Sequence, residues 1–337
     1  LAVGLTGCSS EEPQVLNLYN WSEYMPQEVL DRFTEETGIQ VVYTTYDSNE
    51  AMYARLKLLD DSSQYDLAVP STYYVNKMRK EDLLMEIDHS QIEGFDKLDP
   101  ELVDQSFDEG NAYSVPYLWG TTGLAIDSDA VDPAEVNGWA DLWDEEYNGQ
   151  VMLTNDMREV FHVGLSVLGY SGNTRDPKKI EEAYDKLSEL MPAVRTFNSD
   201  APRMPYLEGE TDIGMIWNGE AVMGKDDMPS LEYIYPEEGV IVWLDSFVIP
   251  KTAANPEAAH QFISFVLQPE ISALISEEIG YATPNLAARD LLPEEVASNR
   301  ASYPTSEDME NAEFQEDVGD DAMQVYNRYW EQLKTGG

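Results

Sequence analysis

The sequence predicts an α/β protein folded as two lobes, and three observations carry the prediction. Its 337 residues exceed what one hydrophobic core usually fills, so two units of roughly 100 to 200 residues are expected. Short apolar runs alternate with amphipathic stretches from the start, which is the grammar of parallel sheets covered by helices. Two long extended runs, at 112–126 and 239–250, sit where a chain could cross from one lobe to the other, return, and cross again.

The elements follow in order. VLNLY at 15–19 is a strand, and a helix covers 26–37. There Val29, Leu30 and Phe33 form an apolar stripe, Glu28, Asp31, Arg32, Glu35 and Glu36 face out, and Gly38 supplies the stop. IQVVYTTY at 39–46 is the second strand, a helix covers 49–59, and YDLAVP at 65–70 is the third strand. Asp176 and Pro177 open a helix whose inward face is Ile180, Ala183, Tyr184, Leu187 and Leu190. Asn255 and Pro256 open another, burying Ala258, Ala259, Phe262, Ile263 and Val266. Open α/β sheets bind ligands beyond the carboxyl ends of their strands.

Charge narrows the function. Lys plus Arg number 20 and Asp plus Glu 65, a net 20 − 65 = −45, so no basic stripe exists for a nucleic acid. With 42% hydrophobic and 11% aromatic residues the chain is too apolar to be disordered, and the acids belong to the surface of a folded body. Such a charge repels itself unless salt screens it, which fits a saline setting outside the cytoplasm, and it enriches cations nearby. The single cysteine excludes internal disulfides and CxxC metal or redox sites. That residue, Cys8, closes the apolar run LAVGLTGC before polar SSEEPQ, and Leu5, Thr6, Gly7 and Cys8 resemble a bacterial lipobox. Residues 1–14 are therefore read as a truncated lipoprotein signal and tether. No later run approaches the ~20 apolar residues of a membrane span, so a lipid on Cys8 would be the sole anchor.

Enzyme motifs are lacking. His89, His162 and His260 have no zinc-site spacing, and neither GxSxG nor GxxxxGK[ST] occurs. The run at 127–132, DSDAVD, begins like a calcium loop but lacks its glycine and closing glutamate. Asp156 and Glu159 could pair as in a glycosidase, yet two residues on one short segment seldom flank a bond from opposite sides.

Six segments instead place Trp, Tyr, Asp or Glu at strand ends or in Gly/Pro turns: YNWSEY (19–24), VPSTYY (69–74), LTNDMREVF (153–161), MIWNG (215–219), VWLDS (242–246) and GYATPN (280–285). Their shared chemistry suits an organic cation, because ammonium groups bond to carboxylates while a methylene chain and the charge favour aromatic faces. The mixture suits a linear polyamine.

With these segments, the runs STYYVNKMRKE, DPELVDQSFD, WADLW, LGYSGNTRDP, IGYATPNLAARDLL and QEDVG make the chain from about residue 15 onward resemble the spermidine/putrescine-binding proteins. These are the substrate-binding subunits of bacterial polyamine ABC importers. The resemblance implies a two-lobed periplasmic-binding-protein fold, each lobe a central β-sheet flanked by helices, with the ligand cleft between. It implies that Trp21, Tyr73, Trp217 and Trp243 box the methylene chain, that Asp156 and Glu159 grip one terminal amine, and that Asp245 lies near the secondary amine. Ser22, Glu23, Tyr24, Ser71, Tyr281 and Gln315 resemble the polar rim, Ser22 standing where the family commonly has Thr. Lobes of 15–121 with 244–289, and of 122–243 with 290–337, are implied, closing by a hinge and docking on the permease. The expectation is a periplasmic, lipid-tethered monomer without catalysis, cofactor or metal, which binds spermidine in preference to putrescine. A polyamine sensor that signals to a membrane receptor would share every one of these features.

Overall fold

The computed structural model describes residues 14–58 and 65–335, so Cys8 and residues 1–13 of the expected tether lie outside the described residues. Strand β1 (Val15–Trp21) leads through α1 (Gln27–Thr37) to β2 (Gln40–Tyr46), then through α2 (Asn49–Leu58) to β3 (Leu67–Ala68) and α3 (Thr72–Lys80). The predicted stripe of α1 is buried, and Gly38 ends the helix in the left-handed region (φ 75°), its N–H reaching the Thr34 carbonyl. Strand β4 (Ser114–Asp127) then crosses into β5 (Val151–Leu153), α4 (Met157–Val167), α5 (Pro177–Leu190), β6 (Val194–Phe197), α6 (Met204–Leu207), β7 (Ile213–Trp217), α7 (Asn218–Asp227) and β8 (Leu231–Ile234). Strand β9 (Ile241–Val248) returns to α8 (Pro256–Val266), α9 (Pro269–Ile279), α10 (Leu286–Arg289) and α11 (Glu294–Ala297). The short β10 (Glu313–Phe314) and α12 (Asp320–Thr335) complete the described chain.

The strands run in the order β2–β1–β3–β9–β4–β7–β5–β6, with β10 on β9 and β8 on β4. Strand β1 pairs in parallel with β2 and β3, and β5 in parallel with β6 and β7, as the alternation predicts. The two long runs pair with each other: β4 and β9 are antiparallel from Ser114 opposite Val248 to Thr122 opposite Ile241, forming the ribbon between the lobes.

Two large apolar cores lie on either side of this ribbon. One gathers side chains such as Leu18, Phe33, Val75, Phe247 and Phe262; the other gathers Leu124, Trp139, Val160, Leu187 and Tyr326. Smaller clusters lie beneath β8 and around Ala282, Ala288 and Tyr303. A two-lobed α/β fold follows, with the carboxyl ends of β1, β3, β5 and β7 turned toward the space between the lobes.

Candidate functional site

Between the lobes is a partly enclosed cavity. Every predicted site residue lines it except Glu23 and Tyr73: Trp21, Ser22, Tyr24, Ser71, Asp156, Glu159, Trp217, Trp243, Asp245, Tyr281 and Gln315 are present.

The end of β1 supplies Trp21, whose Nε1 donates to the Val69 carbonyl at 2.9 Å. Its ring meets Trp217 of the opposite lobe edge-on, centroids 6.0 Å apart. Trp243 stands on β9 against the backbone of β4, where a Cβ on Gly120 would approach its ring to 2.7 Å; glycine there allows the close approach. Tyr281 packs its ring on Gly219 in the same manner.

Asp156, Glu159 and Asp245 are buried and oriented. Asp245, on β9, accepts from Tyr24 Oη at 2.9 Å and from Ser71 Oγ at 2.6 Å. Asp156 caps α4, accepting from the Glu159 N–H at 2.9 Å. Glu159, one turn on, accepts from Thr154 Oγ1 at 3.0 Å, Trp217 Nε1 at 3.0 Å and Thr122 Oγ1. Burial, then the charge of Asp156, pushes the Glu159 carboxyl up to about 8. Burial likewise pushes Asp245 up to about 7, against the hydrogen bonds from Ser71 and Tyr24 that lower it. Asp156 is raised by burial as well. Among the described residues that line the cavity there is no Lys or Arg, so a bound cation is the species that would restore these groups to their charged forms.

Tyr73 lies behind the lining. Asn49, which lines the cavity, donates its Nδ2 to Ser71 Oγ at 3.1 Å and to the Tyr73 hydroxyl, so the tyrosine sits one residue removed from the cavity space. There it is buried, its hydroxyl accepts from Asn49 Nδ2 at 3.2 Å, and its ring lies 5.4 Å from the Arg158 guanidinium. It borders a second cavity with Phe107, Phe314 and Arg175. Glu23 has a left-handed backbone (φ 48°) that carries it outward, where it pairs with Arg203. The lining also includes Asn49, Asp200 and Glu220, which the sequence reading lacks. Glu220 adjoins the MIWNG segment and could have been found there, whereas Asn49 and Asp200 carry no comparable signal.

The histidines are dispersed. His260 lies between the Pro256 carbonyl and the Asp88 N–H, His89 meets the Asn111 carbonyl, and His162 is buried 3.8 Å from Glu313. Among the described residues no His, Cys, Asp or Glu group has the arrangement to hold a metal. No described helix is long and apolar enough to cross a membrane.

The sequence profile of the bacterial extracellular solute-binding proteins matches residues 28–305. The chain belongs to this family. A spermidine/putrescine-binding periplasmic protein of Escherichia coli K12 is 50% identical over 336 residues, which cover 100% of this chain and 96% of that one. Among solved structures, the spermidine/putrescine ABC transporter substrate-binding protein of Streptococcus pneumoniae superposes with a TM-score of 0.80 at 43% identity, over 96% of this chain and 99% of that one. The Tp0655 lipoprotein of Treponema pallidum superposes with a TM-score of 0.83 at 29% identity, over 95% and 99%. These solute-binding relatives are transport proteins, and their two-lobed fold is the one described above.

Proposed function

We propose that this solute-binding protein binds a linear polyamine outside the cytoplasm, spermidine in preference to putrescine, and delivers it to the permease of an ABC importer. The observation that carries the reading is the set of three buried carboxylates, Asp156, Glu159 and Asp245, between aromatic walls, with no Lys or Arg among the described residues of the lining. A trication balances three carboxylates and limits the desolvation penalty of leaving them unpaired. The methylene chain lies against Trp21, Trp217, Trp243 and Tyr281, where each cation–π contact is worth about 0.5 to 2 kcal/mol. A micromolar complex needs about −8.2 kcal/mol, which over roughly ten ligand heavy atoms stays below the ceiling for small ligands. The relatives from Escherichia coli and Streptococcus pneumoniae are named for spermidine and putrescine, which points the same way.

The protein works as a monomer by binding and release rather than turnover, with lobes of 15–121 plus 244–289 and 122–243 plus 290–337. The division of the two large cores at the β4–β9 ribbon supports these limits, although Ala288, Leu292 and Tyr303 pack together across the 289/290 boundary. A lipid on Cys8 tethers it at the periplasmic membrane face, a reading supported by LTGC and by the lipoprotein from Treponema. Labelled palmitate should enter the protein expressed with a full signal but not its Cys8→Ser variant; equal labelling removes the anchor.

Calorimetric titration with spermidine, putrescine and norspermidine tests the main claim. Saturable micromolar binding, tightest for spermidine, is expected. Absence of binding up to millimolar amine at moderate salt overturns it.

A further inference from the structure

The runs LGYSGNTRDP (168–177) and QEDVG (315–319) lie far apart in sequence yet meet in the fold, and Asn173 is the hub of their contact. Its Oδ1 accepts from the Glu316 N–H at 2.8 Å and its Nδ2 donates to the Phe314 carbonyl at 2.7 Å, so one amide grips the backbone on both sides of Gln315. The backbone of Gln315 itself is held from the other edge: its N–H donates to the Val242 carbonyl at 3.1 Å, and its carbonyl accepts from Thr72 Oγ1 at 3.1 Å. Polar groups of successive residues in an extended chain point to opposite edges, so Asn173 takes the place of a neighbouring strand just beyond β10. Arg158, buried on α4, completes the clamp, donating to Asn173 Oδ1 at 3.1 Å and to the Glu316 carbonyl at 3.0 Å. It lies between Asp156 and Glu159 in sequence, so the start of α4 carries two site carboxylates and also fixes the segment that brings Gln315 to the cavity.

We propose that Asn173 is a positioning residue for the ligand site, which touches no ligand and acts by aiming Gln315 into the cavity. The inference rests on the polyamine reading above, with Gln315 as one of the ligand contacts. Gln315 is buried, yet its Nε2 has no hydrogen-bond partner among the described residues, so the direction of the side chain follows from the backbone that carries it. Freeing the Asn173 edge lets that backbone drift, and a site group displaced by about 1 Å loses its directed bond. A clamp that served only the fold would act differently. Phe314 and Glu316 are exposed, so water can take up the groups that Asn173 releases, and any remaining damage would weaken binding whether or not Gln315 is present.

The test is a double-mutant cycle of Asn173→Ala and Gln315→Ala, read by calorimetric titration with spermidine and by thermal melting. Gln315→Ala should weaken spermidine about tenfold or more, the scale of a hydrogen bond to a charged group. Asn173→Ala should weaken it about threefold or more in the wild type and by less than about twofold once Gln315 is gone, because residues that act through one contact are not additive. Should the alanine variant not fold, Asn173→Asp runs the same cycle, since it keeps the acceptor for Glu316 and loses the donor to Phe314. Equal losses from the Asn173 variant in both backgrounds overturn the positioning role, and so does an unchanged affinity in either single variant. A wild type that binds no amine removes the polyamine reading and this role with it, whereas tight binding with an additive cycle removes this role alone.

Discussion

Asp245 receives its two protein hydrogen bonds from residues far away in sequence, Tyr24 and Ser71, and both hold it toward the cavity. A direct bond to a ligand ammonium is worth about 1.5 to 3 kcal/mol, so Asp245→Asn should weaken spermidine roughly tenfold to a hundredfold. Exposed Glu35, which touches the ligand only through the general field, should change mainly the association rate when replaced by Gln, and less as salt rises. Equal losses in both variants that vanish together at high salt would sink the site assignment. The pKa shifts add a pH dependence. Unfolded Glu and Asp titrate near 4.5 and 3.8, whereas folded, ligand-free Glu159 is pushed up to about 8 and Asp245 to about 7. Between those limits the unfolded chain binds fewer protons, so ligand-free stability falls as pH rises through the window. The ligand requires the charged forms, so binding should release protons and tighten from pH 6 to pH 8. Calorimetry in buffers of different ionisation enthalpy measures the release, and the rise in Tm on adding spermidine should be larger at pH 8 than at pH 6. A Tm gain and a heat that ignore pH and buffer would contradict this account.

At the scale of elements, α4 explains why two carboxylates act together. Asp156 is its N-cap and Glu159 lies in its first turn, so the spacing of three places both on one face at the cavity. The same aspartate therefore has a structural and a binding role, and substitutions can separate them. Asp156→Asn keeps an oxygen able to cap, and should retain Tm while losing affinity; Asp156→Ala loses affinity and about 1 kcal/mol of stability besides. Thermal melting and titration of the pair decide it, and identical Tm values for the two variants would show that the cap contributes nothing. The β4–β9 ribbon has a similar double duty. It links the lobes and also carries Trp243 and Asp245 into the site, with Thr122 of β4 bonding both Trp243 Nε1 and Glu159.

The molecule as a whole brings together walls that belong to separate lobes. Trp21 of one lobe and Trp217 of the other face each other across the cavity, and opening would part them. Addition of spermidine should therefore change the intrinsic tryptophan fluorescence saturably at micromolar concentration, and Trp217→Phe should remove much of the change. A full-sized signal in that variant would assign the change to other tryptophans. The net charge of −45 acts at this scale too, drawing polycations toward the cleft at low salt while the buried bonds set how long they stay.

The sequence by itself determined the α/β alternation, the caps at Gly38 and Asp176, the two crossing strands, and the aromatic and acidic segments from which the cavity is built. These were legible because each depends on neighbours a few residues apart: helical period, strand length, a cap beside its helix. Tertiary structure alone decided that Tyr73 stands behind Asn49 rather than in the lining, that Glu23 pairs with Arg203, and that Asn49, Asp200 and Glu220 join the lining. The reason is range. Periodicity tells which side of an element is apolar, whereas the partner it meets is set by packing between segments such as Ser71 and Asp245, which are 174 positions apart, or Tyr24 and Asp245, which are 221 apart.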